Sequence, residues 1–231
     1  MDTTLSRTPQ SNACIDAHPT DAEALIGPNA VTRTLEAVTE RLGGGIAKTL
    51  REAAGVPASI PEVMIPEQWF ERLVAELRSR TSEATSREIL HAAGAATAAY
   101  VRRNRIPAPA RGLLRVLPAR MALPILLAAV RRHAWTFAGR GTFAHVDGHL
   151  VLSDPPTCRA ASEGHAAPDS HTPGTVHEPA RSRGLGGAYY EAAFEGILSL
   201  AAPDVRVREV ACIRAGAPAC RFRLDRLPRH T

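Results

Sequence analysis

Residues 205–224, VRVREVACIRAGAPACRFRL, contain the pattern from which the fold of this chain can be interpreted. Two segments that alternate in polarity, residues 206–213 and 219–224, flank a short turn-rich connection centred on Gly216. This pattern predicts a β-hairpin. The pairs that a register symmetric about Gly216 predicts are Cys212 with Cys220, Val210 with Phe222, and Glu209 with Arg223.

The two cysteines of this hairpin are its most informative residues. Side chains alternate across a strand, so Cys212 and Cys220 share one face, and Glu209 and Arg223 share the other as a cross-strand ion pair. The two thiols can form a disulfide, supply part of a metal site or pack as small apolar groups. The Glu-x2-Cys-x7-Cys spacing differs from the Cys-x2-Cys of common zinc folds. The residues alone leave all three roles open.

The composition is that of a globular protein with a distinctive set of basic residues. The chain has 231 residues, 45% of them hydrophobic, which is enough for one good core or two small ones. Its 28 basic residues include a single lysine, Lys48, so the others are arginines. The net charge of +5 is not concentrated in one basic run. We therefore expect no nucleic-acid partner.

The sequence also bounds the cellular location that we expect. The first 22 residues are polar and predict a disordered tail without a secretory signal. The longest apolar run, residues 121–130, contains Pro124 and is too short to span a bilayer. Four scattered cysteines do not make a secreted disulfide framework. The expectation is a cytoplasmic protein without a transmembrane segment.

Residues 23–231 are predicted to form a single α+β ligand-binding domain, with a helical half over 23–132 and a sheet-containing half over 133–226. Apolar residues at helical spacing and Gly and Pro stops predict the segments of the helical half. These helices are residues 29–42, a short helix to 54, residues 67–80, residues 85–104, and further turns over 113–132 interrupted by Pro118 and Pro124. A proline-rich polar stretch over 159–186 predicts a mobile loop.

The second half begins with AWTFAGRGTFAHVDGHLVLSD, residues 134–154, which alternates with period two. The alternation predicts a strand that carries Trp135 and Phe137 on one face, followed by a hairpin that turns at Asp147 and Gly148. Residues 188–201 predict a helix before the C-terminal hairpin. The expected fold is therefore α+β, with N-terminal helices packed on a mainly antiparallel β-sheet and a closing C-terminal helix and β-hairpin.

No redox-cofactor motif is evident in the sequence. The glycine run at 43–45 follows a helix and lacks both the Gly-x-Gly-x-x-Gly order and the Gly-Lys-Ser/Thr ending, so it predicts a helix stop. The cysteines are too few and too dispersed for an iron–sulfur cluster. No cofactor is therefore expected from these motifs, and no catalytic residue can be assigned.

Five segments, taken together and in order, resemble the bacteriochlorophyll 4-vinyl reductase family. They are LIGPNAVTRTLEAV, AAGAATAAYVRRNRIP, RRHAWTFAGRGTF, AYYEAAFEGIL and EVACIRAGAPACRF, and the likeness extends over about residues 25–224. The resemblance implies a role in bacteriochlorophyll biosynthesis, at reduction of the C8 vinyl group of divinyl chlorophyllide or protochlorophyllide. It also implies a small-ligand-binding superfamily that includes Bet3-type trafficking subunits and aromatic-sensing regulator domains.

The resemblance further implies a zinc site. In the sensor relatives a similar hairpin supports zinc, and Glu209, Cys212 and Cys220 fall on the corresponding positions. Cys158 resembles a further cysteine that the family retains. A cysteine that often precedes the Tyr-Tyr helix is replaced here by the Gly-Gly-Ala of residues 186–188. This departure leaves the ligand set incomplete.

Reduction of a vinyl group requires a source of electrons such as a nicotinamide or flavin. Because no motif for one is seen, our interpretation is a tetrapyrrole carrier that serves a separate vinyl reductase or other pigment-synthesis enzymes. The alternatives are that the chain is the 8-vinyl reductase itself, using NADPH or another reductant, or that it is a small-molecule sensor or assembly module. A homodimer and a location peripheral to photosynthetic membranes are compatible with each.

A flat macrocycle needs a stacking ring, an axial ligand for magnesium and a cation for its propionate. The candidates are Trp135 and Phe137 for stacking, His145 or His133 for the metal, and Arg132 or the adjacent Arg131 for the carboxylate. Each candidate also has an ordinary structural role. The rings can pack in the core, His145 can be a hydrogen-bonded core histidine, and the arginines can be solvated charges at a helix end.

Overall fold

The computed structural model of the chain describes residues 24–159 and 187–226. The tail predicted over residues 1–22 and all but the first residue of the predicted loop over 159–186 lie outside the described residues. Among the described residues, no helix combines the length and the apolar character needed to cross a bilayer.

The described residues form an α+β fold, which confirms the predicted class. In chain order, its elements are β1 (Leu25–Ile26), α1 (Asn29–Leu42), α2 (Gly44–Ala53), β2 (Ile65–Pro66), α3 (Glu67–Arg80), α4 (Glu83–Asn104), α5 (Ala108–Val116), α6 (Ala119–Arg132), α7 (Trp135–Ala138), β3 (Phe143–Val146), β4 (His149–Leu152), α8 (Pro156–Arg159), α9 (Gly187–Leu198), β5 (Val205–Ala211) and β6 (Cys220–Arg226). A single 3-10 turn, Ile213–Ala215, connects β5 to β6.

Most helices begin and end close to the predicted positions, but α5 begins at Ala108, before the predicted start at 113. Gly43, with φ at +90°, separates α1 from α2, as expected for a residue that tolerates positive φ. α3 has the predicted bounds. Pro118 separates α5 from α6, but Pro124 lies inside α6, so the predicted interruption there is wrong. Pro124 lies beyond the first turn of α6, so it removes the N–H that would donate to the carbonyl of Arg120. Most of the stability of a helix in a protein comes from its packed face, which here carries Ala122, Leu126 and Val130.

The sheet is antiparallel, with strand order β3-β4-β6-β5, and β1 pairs with β2 in a separate two-stranded ribbon. The predicted pairs of Val146 with His149 and His145 with Leu150 are confirmed. The inner face of the sheet packs on α9, and rings from both meet in an aromatic cluster. The members of this cluster are Phe70, Phe137, Phe143, Tyr189, Tyr190, Phe194 and Phe222.

The strand predicted for Trp135 and Phe137 is wrong, because these residues lie in the short helix α7. The N–H of Ala138 donates to the carbonyl of Ala134 at 2.8 Å, and both alanines are buried. Their i,i+4 spacing is helical, but four residues are too few for the period to be distinguished from alternation. Gly139, with φ at +59°, then reverses the chain before β3.

The predicted pairs of Glu209 with Arg223 and of Val210 with Phe222 are wrong, because β5 contains a β-bulge between Glu209 and Ala211. An extra residue in one strand turns the following side chains to the other face. Val210 is therefore 48% exposed, and Glu209 points into the core opposite Phe222, not toward Arg223. The two thiols of the hairpin, by contrast, share the buried face, as predicted.

Candidate functional site

Four buried ligand-type side chains converge where α8 meets the C-terminal hairpin. They are Cys158, Glu209, Cys212 and Cys220, and their ligand atoms all lie within 4.8 Å of one another. Cys158 lies in α8, and the hairpin supplies the other three. The set consists of the metal candidates that the resemblance implies, and the structure brings all four together.

The distances between the sulfur atoms are those of a tetrahedral metal site. The Sγ–Sγ distances are 3.7 Å for Cys158 to Cys212, 3.5 Å for Cys158 to Cys220 and 3.8 Å for Cys212 to Cys220. Zinc–sulfur bonds of about 2.3 Å at tetrahedral angles separate the sulfurs by about 3.8 Å. A disulfide would need about 2.05 Å, and these cysteines are free. Cys158, Cys212 and Cys220 therefore form no disulfide with one another.

The carboxylate of Glu209 completes the set. Both of its oxygens are buried without a hydrogen-bond partner, an arrangement that is costly unless a proton or a metal satisfies it. Burial, with a smaller contribution from Cys212, raises the pKa of Glu209 to about 9. The β-bulge that turns Glu209 inward is held by Glu191, whose Oε1 accepts the N–H of Glu209 at 2.7 Å.

The carboxylate occupies space that a side chain at position 187 would otherwise need. A Cβ atom on Gly187 would lie 2.0 Å from Oε2 of Glu209. This glycine belongs to the Gly-Gly-Ala segment that departs from the family pattern. Because Gly187 has no side chain, the carboxylate of Glu209 can take the fourth position in the candidate ligand set.

The thiols differ in their affinity for protons. Hydrogen bonds from Cys158 and then Cys220 lower the pKa of Cys212. The hydrogen bond with Cys212 raises the pKa of Cys158, and hydrogen bonds with Cys158 and then Cys212 raise the pKa of Cys220. Cys212 is therefore the thiol of the three that loses its proton most readily. Metal binding would release the remaining protons, because cysteine binds metal as the thiolate. The donor set fits a zinc ion of structural type, since four protein ligands leave no open position.

A buried guanidinium lies beside this cluster. All three nitrogens of Arg78 are buried without a hydrogen-bond partner. Burial lowers the pKa of Arg78 to about 10, while the charges of Cys158, Cys212 and Glu209 act in the opposite direction. Three thiolates and one carboxylate carry more negative charge than a divalent ion neutralises. With a divalent ion bound, Arg78 would supply part of the missing positive charge.

An ion-pair network fixes α8 against α3. Glu67, at the start of α3, is buried and pairs with Arg159, the residue after Cys158. The other oxygen of Glu67 accepts the backbone N–H of Arg140 at 2.8 Å, and Arg159 also pairs with Asp154 at 2.9 Å. The network orients the peptide that carries Cys158.

Sequence reasoning missed Arg78, Arg159 and Glu67. A signal existed for Arg78, since it continues the buried stripe of α3 at the spacing of Phe70 and Val74. No comparable pattern marks Glu67 or Arg159, because each meets its partner only through tertiary contacts.

The pigment candidates lie on a different set of elements. Arg131, Arg132 and His133 are exposed at the end of α6, and Trp135 follows in α7 with 56% of its surface exposed. The guanidinium groups of Arg131 and Arg132, the imidazole of His133 and the indole of Trp135 therefore lie close together in sequence, at the end of α6 and the start of α7.

The two remaining candidates differ in their environment. Phe137 is half-buried and packs edge-on against Phe143 and Phe194, at 5.8 and 5.7 Å between ring centroids. His145 is exposed on β3, so it is not the hydrogen-bonded core histidine that its apolar face suggested. Two surface depressions, of about 350 and 310 Å³, lie elsewhere, along α1 and between α1, α2 and the end of α3.

Comparison with known proteins shows the family of this chain. No protein-family model matches the sequence. The chain is 38% identical over 201 residues to the bacteriochlorophyll synthase 23 kDa chain of Cereibacter sphaeroides, covering 86% of this chain and 89% of that protein. It is 31% identical over 206 residues to the protein of the same name from Rhodobacter capsulatus, covering 88% of each. The chain therefore belongs to the family of the bacteriochlorophyll synthase 23 kDa chains.

Proposed function

We propose that the protein acts in bacteriochlorophyll biosynthesis as a tetrapyrrole carrier, at reduction of the C8 vinyl group of divinyl chlorophyllide or protochlorophyllide. Family membership supports the pathway. The particular step rests on the resemblance of the five sequence segments to 4-vinyl reductases. The proposed place of action is cytoplasmic, at the periphery of the photosynthetic membrane.

The observation that carries the carrier role is the exposed indole of Trp135. A large aromatic side chain left in solvent is a favourable platform for a flat apolar ligand. His133 lies two residues away and offers an imidazole to a magnesium ion. Arg132 offers a guanidinium to the propionate carboxylate. Stacking, metal ligation and charge pairing are therefore available within one stretch of surface.

In this proposal, the electrons come from a partner reductase. Conversion of the vinyl to an ethyl group adds two electrons and two protons to the C8 substituent. A pigment held at an exposed surface can be presented to a partner that supplies them. The chain's own contribution is to bind and orient the macrocycle and to shield one of its faces.

We also propose that zinc binds to Cys158, Glu209, Cys212 and Cys220. The unsatisfied carboxylate and the sulfur spacing support this proposal. With four protein ligands the ion would have a structural role, joining α8 to the C-terminal hairpin.

The carrier proposal is tested by an absorption titration of the purified protein with divinyl chlorophyllide. We expect saturable shifts of the pigment bands, and weaker binding by roughly 10-fold for Trp135→Ala, in line with the loss of a buried aromatic anchor. Arg41→Ala, on an exposed part of α1, is the control and should bind normally. Unchanged affinity of Trp135→Ala would place the pigment elsewhere.

The division of labour is tested by adding NADPH to the protein–pigment complex. The carrier proposal predicts no C8 reduction until another reductase is added. Reduction by the isolated chain would identify it as the 8-vinyl reductase itself.

The zinc proposal is tested by elemental analysis of the purified protein. We expect about one zinc ion per chain and a loss of zinc affinity of at least about 100-fold for Cys212→Ser, because even outer ligands of a metal site contribute 10- to 100-fold. Cys14→Ser is the matched control and should retain the ion. Equal zinc content in both variants would contradict the site.

A further inference from the structure

Helices α5 and α6 leave a cluster of large apolar side chains in solvent. Leu113 and Val116 on α5 are 56% and 78% exposed, and Met121 and Ile125 on α6 are 51% and 54% exposed. Isolated apolar residues are normal on protein surfaces, but four on two consecutive helices form a patch.

This patch is not needed to hold α6 on the protein. The inner side of α6 is already buried through Ala122, Leu126 and Val130. Met121 and Ile125 are one helical turn apart and define a second, outward apolar stripe. A helix that is apolar on both sides requires a second apolar environment.

The charge around the patch has one sign. Residues 89–146 contain no aspartate or glutamate, but they contain nine arginines. Arg115, Arg120, Arg131 and Arg132 on these two helices are exposed. Within the part of the chain that the structure describes, no carboxylate forms an ion pair with any of these four arginines. The exposed apolar side chains of α5 and α6 are therefore accompanied on these two helices by charged residues of one sign, all of them arginines.

We propose that α5 and α6 dock the protein on an anionic lipid bilayer. Apolar residues of an amphipathic helix enter the boundary between headgroups and acyl chains, and the guanidinium groups pair with lipid phosphates. Each arginine near an anionic surface also gains from the negative surface potential. The inference shares Arg131 and Arg132 with the proposed pigment site, but it rests on the charge and exposure of α5 and α6 and holds whether or not pigment binds.

The charge pattern favours a bilayer over a second copy of the chain. A symmetric dimer would place the same surface of two copies together, and the arginines of α5 and α6 would meet no carboxylate from these helices. A bilayer of anionic lipids complements both the exposed apolar side chains and the arginines of α5 and α6.

The experiment is co-sedimentation of the full-length protein with vesicles. Vesicles of phosphatidylcholine with about 30% phosphatidylglycerol are compared with vesicles of phosphatidylcholine alone. We expect binding to the anionic vesicles only, and release as NaCl is raised from about 0.05 to about 0.5 M.

Two variants separate the apolar and cationic contributions. Arg115→Gln/Arg120→Gln/Arg131→Gln should weaken vesicle binding roughly 100-fold, or about fivefold per arginine. Met121→Ser/Ile125→Ser should weaken binding at least 10-fold, because the inserted apolar area is lost. The matched controls carry substitutions on other surfaces and should bind as the unchanged protein does. They are Ile46→Ser/Val63→Ser and Arg208→Gln/Arg221→Gln.

Three results would overturn the inference. These are equal binding to neutral and anionic vesicles, undiminished binding of both variants with native circular dichroism, and absence of vesicle binding. Sedimentation of the vesicle-free protein as a dimer that Met121→Ser/Ile125→Ser converts to a monomer would assign the patch to self-association instead.

Discussion

At the scale of single residues, the most consequential side chain is Glu209. Its carboxylate is buried beside three thiols and accepts no hydrogen bond. An acid in this state is satisfied either by a proton or by a metal ion. The protonation of Glu209 therefore reports on whether the cluster is loaded.

Glu209 should make the stability of the metal-free protein depend on pH. Burial raises the pKa of Glu209 from 4.5 to about 9 in the folded state, so the folded chain retains a proton that the unfolded chain has released. The free energy of unfolding should consequently fall as pH rises from about 5 to about 9 and become level above that range. Urea unfolding of reduced, chelator-treated protein across this pH range measures the slope.

Glu209→Gln should remove that part of the pH dependence, because a neutral amide has no proton to lose. Glu40→Gln, on the exposed side of α1, should leave the slope unchanged. Parallel pH profiles for Glu209→Gln and the unchanged protein would show that the carboxyl is solvated in solution.

Arg78→Met should have opposite effects on the metal-free and zinc-loaded protein. In the metal-free state, burial of a guanidinium without hydrogen bonds is costly, so its removal should raise the free energy of unfolding by about 1–3 kcal/mol. In the loaded state, loss of the compensating charge should lower zinc affinity about 10- to 100-fold. Competition with a chromogenic chelator measures the affinity.

The control for this substitution is Arg80→Met. Arg80 lies two residues further along α3, where its exposed guanidinium pairs with Glu76. It should change stability by about 0.5 kcal/mol or less. Equal effects of the two substitutions would mean that Arg78 is not coupled to the cluster.

At the scale of elements, the closest packing is between α4 and α9. A Cβ atom on Gly94 would lie 2.1 Å from the carbonyl oxygen of Tyr189, and one on Gly196 would lie 2.5 Å from the Cβ of Ala98. Small residues on both helices bring their backbones together. This contact positions α9, whose first residue adjoins Glu209.

Gly94→Ala should destabilise the protein by about 1–3 kcal/mol, since a methyl group would overlap backbone that has no room to move. Gly112→Ala is the matched control, because its added Cβ meets no atom within 4 Å. It should be neutral or stabilising by up to about 1 kcal/mol, as alanine is the better helix former. Chemical denaturation measures the free energy of unfolding of both variants. Equal denaturation midpoints would contradict the close approach of Gly94 to the backbone of Tyr189.

At the scale of the whole molecule, the sulfur–carboxylate cluster joins segments that are far apart in the chain. Cys158 follows the first hairpin of the sheet, while the other three ligands come from the last. An ion bound at their junction would stabilise the folded state without binding equally to the unfolded chain.

Removal of zinc should therefore lower the thermal midpoint of the protein. With free zinc at about 100 times its dissociation constant, the stabilisation is about 2.7 kcal/mol. This corresponds to a shift of roughly 5–10 °C for a chain of this size. Differential scanning calorimetry with chelator, and then with zinc restored, measures the shift. A midpoint indifferent to both additions would exclude a structural ion.

The sequence by itself determined the helices, the α+β class and the hairpins, because these depend on local periodicity and on glycine and proline signals. α3 and the turn after Val146 show how strong those signals are. The hairpin alone offered Cys212 and Cys220 as part of a metal site among other roles, and resemblance to a family added Glu209 and Cys158 to the candidate ligands.

The tertiary structure alone decided which side chains meet. One bulged residue, Val210, turned Glu209 into the core, and the packing of α7 converted a predicted strand around Trp135 into a helical turn. Neither event leaves a periodic signal, because a bulge is a single extra residue and a four-residue helix is shorter than the pattern that would reveal it. The physical reason is that local preferences fix the elements, whereas contacts between distant segments fix the register that carries the site.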